Sequence, residues 1–214
     1  RRSRGVTVTI GGSSFSTGAA IEWLVDADLI ENAAESARLA KRVDSTDGVY
    51  LVPAFTGLGA PIWDGRARGT LIGLTRSTRK EHIVRATLES IAFRTRDVKE
   101  AIEEDADIPV QTLRVDGGAV KNDFLCQLQA DITRSTIIRP EVDETTALGA
   151  AYAAGLAVAY WRSMDELRAN WTVDRRFEPE IPAEEADARY ARWVAARDRA
   201  TGWAAEETDG PSRV

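Results

Sequence analysis

The sequence is poor in the residues that build disulfides and metal sites. Among its 214 residues there is one cysteine, Cys126, and one histidine, His82. A lone cysteine cannot form an intramolecular disulfide and a lone histidine cannot supply a two-histidine metal site, so disulfide scaffolds, zinc fingers and HExxH proteases are excluded. No lysine is followed by serine or threonine, which excludes a Walker A phosphate loop.

Long hydrophobic runs and an excess of positive charge are also absent. The uncharged run over residues 147–161 is shorter than the roughly 20 residues that span a bilayer, so it predicts a buried helix. No basic segment followed by an apolar stretch opens the chain, and a cytoplasmic location is expected. The net charge of −6 argues against broad binding to nucleic acid or to anionic lipid.

The remaining composition is that of one globular domain over residues 1–214. Hydrophobic residues make up 43% of the chain, which is enough for a substantial core. The first residue is Arg1 and the single methionine is Met164. We therefore expect the chain to be a fragment or a processed product.

Short β-branched runs alternate with longer helical patterns along the chain. The runs VTVTI, VYLV, TLRV and TIIR predict strands of one central sheet, while apolar residues from Val84 to Ile102 recur at helical spacing. A second long amphipathic helix is predicted over residues 183–206. This alternation is typical of an α/β domain with a largely parallel sheet and helices on both sides.

The segment VDGGAVKN, residues 115–122, stands where a predicted strand passes into a helix. Its two glycines, Gly117 and Gly118, would let a ligand approach the main chain, and free amides at the helix start could donate hydrogen bonds. A tight turn that needs glycine only for its backbone is an equally good explanation. A second glycine-bearing helix start, STGAAIEW, places Glu22 one turn after Gly18 and could form the other wall of one cleft.

Several segments resemble a known family in order and spacing. Residues 69–89, GTLIGLTRSTRKEHIVRATLE, resemble the second signature of the FGGY carbohydrate kinases, and VDGGA resembles the adenosine motif of the actin, Hsp70 and hexokinase superfamily. The segments GVYLVPAFTGLGAPIWD, LRVDGGAVKNDFLCQLQADI and RPEVDETTALGAAYAAGLAVAYW are more similar to the glycerol kinases of that family than to its xylulose, ribulose or gluconate kinases. The resemblance covers about residues 12–203.

The resemblance implies a ribonuclease-H-like domain without its first strands, namely part of the C-terminal domain of a two-domain kinase. The family's nucleotide contacts fall on Gly18, Glu22, Gly118 and Asn122, and Gly117 would provide close backbone approach. Related kinases usually have glutamine where this chain has Glu22, whose carboxylate can accept but not donate a hydrogen bond. The catalytic base and the acceptor pocket belong to the absent N-terminal domain, so no catalytic residue and no metal ligand is expected here.

The activity implied is ATP-dependent phosphorylation of glycerol or a related polyol, with Mg²⁺ and with glycerol 3-phosphate and ADP as products. The isolated chain is expected to be inactive, and to self-associate where missing strands leave an edge uncovered. The alternatives are a noncatalytic, degenerate kinase-like interaction module and one subunit of a split kinase. The coding region upstream of Arg1 would distinguish them.

Overall fold

The computed structural model describes residues 17–142 and 144–204, so the predicted strand at residues 6–10 lies outside the described part. The helices are α1 (Thr17–Asp26), α2 (Glu35–Ala40), α3 (Lys80–Ala106), α4 (Asp123–Thr133), α5 (Thr145–Ala157), α6 (Met164–Ala169) and α7 (Ala183–Arg197), with one turn of 3-10 helix at Gly118–Lys121. The strands are β1 (Tyr50–Val52), β2 (Thr70–Ile72), β3 (Thr112–Arg114), β4 (Thr136–Pro140) and β5 (Val173–Phe177). The prediction of an α/β chain is confirmed.

Helix α3 is the central element, as the apolar spacing predicted. Val84, Leu88 and Ile91 are fully or almost fully buried, because residues three and four positions apart lie on the same helix face. The helix begins after Arg79, whose backbone N–H donates to Nδ1 of His82 at 3.0 Å. It ends at Asp107, which takes a left-handed conformation with a φ of 53°.

The strands form two separate sheets, so the predicted single central sheet is wrong. β1 pairs with β2 antiparallel, whereas β3 pairs with β4 parallel and β4 pairs with β5 antiparallel. VYLV therefore belongs to a hairpin-like pair that packs on α3, and only one described strand pair is parallel. β5 was not predicted, because the charged residues within VDRRF conceal its alternation.

Two hydrophobic clusters hold the layers together. The larger one joins α1, α2, α3, α4 and α7 and contains the fully buried Leu24, Leu88 and Trp193. In it Phe93 and Trp193 stack with their ring centroids 5.4 Å apart. The smaller cluster lies between α4 and the three-stranded sheet and includes Cys126, Ile137 and Phe177. The candidate site lies where α4 begins, between these two clusters.

Helix α5 was predicted to be buried, and that prediction is wrong. Its only buried residue is Gly155, and no element of the described ranges packs along it. Gly149 does not serve close helix packing within the described residues, because a Cβ built there would meet nothing within 4 Å. A run without charge indicates that a helix can be covered, but it does not supply the covering surface. None of the helices in residues 17–142 and 144–204 has the length and apolar character needed to cross a membrane.

Candidate functional site

The two glycines of VDGGAVKN form a turn at the end of β3. The backbone N–H of Val115 donates to the carbonyl of Ile138 at 3.1 Å, which continues the pairing of β3 with β4. Gly117 then has a φ of 85°, a left-handed value that side chains disfavour. The chain passes at once into the 3-10 turn that begins at Gly118. Gly117 is thus explained by its backbone conformation.

Gly118 and Gly18 have a different explanation. A Cβ built at either position would meet nothing within 4 Å, and neither has a φ in the left-handed range. Neither backbone strain nor crowding by the protein therefore requires glycine there. Both residues are exposed, so a ligand can approach the main chain closely at each.

Arg139, on β4, fixes the segment that follows the glycine turn. Its Nη1 donates to the carbonyl of Val120 at 2.7 Å and to Oδ1 of Asp123 at 2.8 Å, and its Nε donates to Asp174 at 2.6 Å. A guanidinium can make these bonds together because its donors form a rigid fork. Sequence reasoning missed Arg139, although it opens the segment RPEVD that carries part of the family resemblance.

Asn122 begins helix α4 and connects it to α2. Its Oδ1 accepts a hydrogen bond from the backbone N–H of Leu125 at 3.0 Å, which is the usual role of an N-cap asparagine. Its Nδ2 donates to Oγ of Ser36 at 3.2 Å. Ser36 is fully buried and was not predicted, since 86 positions separate it from Asn122.

Asp116 ties the same turn to α5. Its carboxylate accepts a hydrogen bond from the hydroxyl of Thr145, at the first residue of that helix. The turn is therefore held from β4, α2 and α5, while Gly118 itself stays exposed. Such an arrangement fixes the main-chain groups of the turn before any ligand arrives.

The other two predicted site residues, Gly18 and Glu22, lie on the exposed side of α1. The opposite side of α1 places Ile21 and Leu24 in the same core cluster as Leu125 of α4. The two helix starts therefore flank one core. A common concave surface for Gly18, Glu22, Gly118 and Asn122 stays a prediction.

A separate cavity of about 350 Å³ lies beside α1 and the β1–β2 pair. Trp23, Phe55 and Arg68 are among its lining residues, and none of the five predicted site residues lines it. We place the candidate site at the glycine turn because that segment combines exposed main chain with fixed polar groups. Within the described part of the chain, no three His, Cys, Asp or Glu residues are grouped to hold a metal ion.

Comparison with known proteins agrees with the resemblance seen in the sequence. Residues 4–158 match the C-terminal domain of the FGGY family of carbohydrate kinases. The chain is 68% identical over 202 residues to a glycerol kinase of Halobacterium salinarum, covering 94% of this chain and 40% of that protein. It is 66% identical over 207 residues to a glycerol kinase of Haloferax volcanii, covering 97% of this chain and 40% of the relative.

The fold is similar to that of Plasmodium falciparum glycerol kinase, whose crystal structure contains ADP. The TM-score is 0.78 at 34% sequence identity, covering 86% of this chain and 37% of that one. The chain spans about 40% of the length of the curated relatives it matches. It is a member of the FGGY family of carbohydrate kinases.

Proposed function

We propose that this chain forms the adenosine-binding part of an ATP-dependent glycerol kinase. The observation that carries the proposal is the glycine turn at Gly117 and Gly118. Hydrogen bonds connect this segment to α2, β4 and α5, while the space in front of both glycines is open. The 68% identity to a glycerol kinase supports an enzyme over a noncatalytic module. The reaction of the whole protein would convert ATP and glycerol to ADP and glycerol 3-phosphate.

Phosphoryl transfer depends mainly on positioning and on stabilisation of charge. In the proposed reaction an acceptor hydroxyl attacks the γ-phosphorus in line, its proton passes to a carboxylate, and the bond from the γ-phosphorus to the β,γ-bridging oxygen breaks. The carboxylate and the glycerol pocket are assigned to the part of the longer protein that this chain does not match. The residues of this chain would hold the nucleotide still.

The contacts proposed for this chain divide between two helix starts. Main-chain groups of Gly117 and Gly118 would approach the adenosine, with Asn122 offering an amide. Gly18 would allow the ligand close to α1, and Glu22 would accept a hydrogen bond from a ribose hydroxyl or the adenine amino group. Because the charge of Glu22 is unfavourable beside phosphates, we assign it to the adenosine end of the nucleotide.

Mg²⁺ is proposed to accompany ATP in the whole enzyme, where it would offset charge on the phosphates. Among the described residues no three carboxylates, histidines or cysteines are grouped, and a magnesium ion that accompanies ATP takes most of its ligands from phosphates and water. We therefore assign no magnesium ligand to this chain.

The proposal also covers where glycerol binds and where in the cell the protein acts. Glycerol would bind outside this chain, and the cytoplasm is where an enzyme that consumes ATP has its substrate.

Self-association of the isolated chain is proposed at α5, whose 13 residues carry no charge and whose flank exposes Val158 and Tyr160 at 77% each. Exposed apolar surface of this kind favours contact with another chain. Light scattering over a concentration series tests it, with a monodisperse monomer as the contradicting result.

The activity is tested by comparing the chain with the longer protein. The purified chain should transfer no phosphate from ATP to glycerol, because neither base nor acceptor pocket is assigned to it, while the full-length protein should be active. Addition of the separately produced preceding part should restore turnover. Activity of the isolated chain, free of other kinases, would contradict this division of labour, and an inactive full-length protein would contradict the proposed reaction.

A further inference from the structure

The hydrogen bonds around Ser36 determine which way the Asn122 amide points. The Ser36 hydroxyl donates to the carbonyl of Ala33 at 2.7 Å. A hydroxyl has one proton to donate, so toward Asn122 it can only accept. The atom of Asn122 that lies 3.2 Å from Ser36 Oγ is therefore the donor, Nδ2.

The other end of the amide gives the same answer independently. The backbone N–H of Leu125 needs an acceptor, and it finds Oδ1 of Asn122 at 3.0 Å. Rotating the amide by half a turn would set two donors against each other at Leu125 and two acceptors against each other at Ser36. Two bonds from two helices thus allow one orientation only.

This orientation leaves a specific hydrogen-bonding capacity at the candidate site. An amide nitrogen carries two hydrogens, and Ser36 takes one of them. Among the described residues no protein group accepts the second N–H of Asn122, which is half-buried and follows the glycine turn. We propose that Ser36 is a positioning residue that holds the Asn122 amide so that it presents this N–H as a donor to an acceptor atom of the nucleotide.

The inference rests on the proposed function and narrows it. The ligand atom that meets Asn122 should be a hydrogen-bond acceptor, such as a ring nitrogen of adenine or a ribose oxygen, and not a donor. Ser36 itself is fully buried and acts only through Asn122. Its loss should therefore weaken nucleotide binding without removing any group that contacts the nucleotide.

Ser90 provides a matched control for the substitution of Ser36. It is also buried, and its hydroxyl donates to the carbonyl three residues earlier, that of Thr87, at 2.7 Å. The two serines thus make the same local bond, but within the part of the chain that the structure describes no asparagine is bonded to Ser90. Ser36→Ala and Ser90→Ala should lower thermal stability by similar amounts, whereas only Ser36→Ala should affect the ligand.

The experiment is a calorimetric titration of the chain with ADP. Ser36→Ala should weaken ADP binding about three- to tenfold, the effect of losing one hydrogen bond, while Ser90→Ala should leave it unchanged. Asn122→Asp keeps an acceptor for the N–H of Leu125 and so should keep the fold, but it should weaken binding at least as much. The double variant Ser36→Ala, Asn122→Ala should bind ADP as weakly as Asn122→Ala alone.

A second readout does not depend on the ligand. In ¹⁵N-edited NMR spectra the two side-chain amide protons of Asn122 should be shifted apart by the bond to Ser36, and Ser36→Ala should reduce that separation. If Ser36→Ala leaves ADP binding unchanged, or if the losses of affinity multiply in the double variant, the role of Ser36 is overturned but the proposed function is not. No saturable ADP binding by the unsubstituted chain would overturn the proposed function as well.

Discussion

Arg197 of α7 donates a hydrogen bond to the Asp97 carboxylate of α3 at 2.9 Å, across 100 positions of sequence. The Asp97 side chain has no exposed surface, and it also accepts from Arg94 and from the Tyr190 hydroxyl, each at 2.7 Å. Burial, together with the charge of Asp97, raises the pKa of Tyr190 well above its usual range. The last helix is thus fixed to the central one by a buried polar network.

Asp97→Ala should therefore destabilise the chain strongly, because two guanidinium groups and a hydroxyl lose their shared partner. We expect the free energy of unfolding to fall by about 3–5 kcal/mol, measured by urea denaturation. Asp187 of α7 is the control. It pairs with Arg96, which lies on α3 like Asp97, but the side chain of Asp187 is 60% exposed. Asp187→Ala should cost less than about 1 kcal/mol, and equal losses in the two variants would contradict this account.

Glu89 should make stability depend on pH. Burial raises the pKa of its carboxyl above the usual 4.5 although Arg85 donates to it at 2.9 Å. The folded state then holds the proton more tightly than the unfolded state, so this group's contribution is most favourable below pH 4.5 and is lost as pH rises through the raised pKa.

Glu89→Gln should remove this dependence. Relative to the unsubstituted chain, the variant should gain stability as pH rises from about 4 to about 8, measured by urea denaturation at each pH. Glu100→Gln is the control, because Glu100 lies on the same helix with its side chain 42% exposed. A constant difference between Glu89→Gln and the unsubstituted chain over this range would contradict the prediction.

The two glycines of α5 should respond oppositely to alanine. A Cβ at Gly149 would meet nothing within 4 Å, whereas one at Gly155 would overlap the ring of Trp161. Gly149→Ala should raise the free energy of unfolding by about 0.5–1 kcal/mol, the gain from a better helix former. Gly155→Ala should lower it by about 1–3 kcal/mol through overpacking.

Tryptophan fluorescence provides a second signal for this pair of variants. Tyr152 lies edge-on to the ring of Trp161, with centroids 5.0 Å apart, so displacement of that ring should change the emission of Gly155→Ala alone. A stabilising Gly155→Ala with unchanged emission would show that Trp161 does not pack on the helix.

The sequence predicted the elements of the fold better than their partners. The spacing along α3 was sufficient, because burial of one helix face is encoded within the helix itself. The strand at β1 was also recognised, but its β-branched residues do not encode which strand it pairs with. β5 escaped because its charged residues conceal its alternation, and Arg175 has its ion-pair partner Asp123 at 52 positions' distance in the sequence.

At the candidate site the sequence showed the glycines but not what holds them. Gly117 and Gly118 form a local pattern, and Asn122 follows them at short range. Ser36 lies 86 positions from Asn122, and Arg139 lies 19 positions from Val120 and 16 from Asp123, so no short window of sequence contains both partners. The burial predicted for α5 failed for a similar reason, since an uncharged helix does not specify the surface that covers it.

Titration of the chain with a fluorescent ADP analogue, with and without Gly118→Ala, tests the central claim most directly. The space in front of Gly118 is open and its backbone needs no left-handed φ, so the variant should fold and unfold as the unsubstituted chain does. Saturable binding by the unsubstituted chain, lost on Gly118→Ala and retained on Gly149→Ala, is the result we predict. Equal binding by all three, or no saturable binding by any, would contradict an adenosine site at the glycine turn.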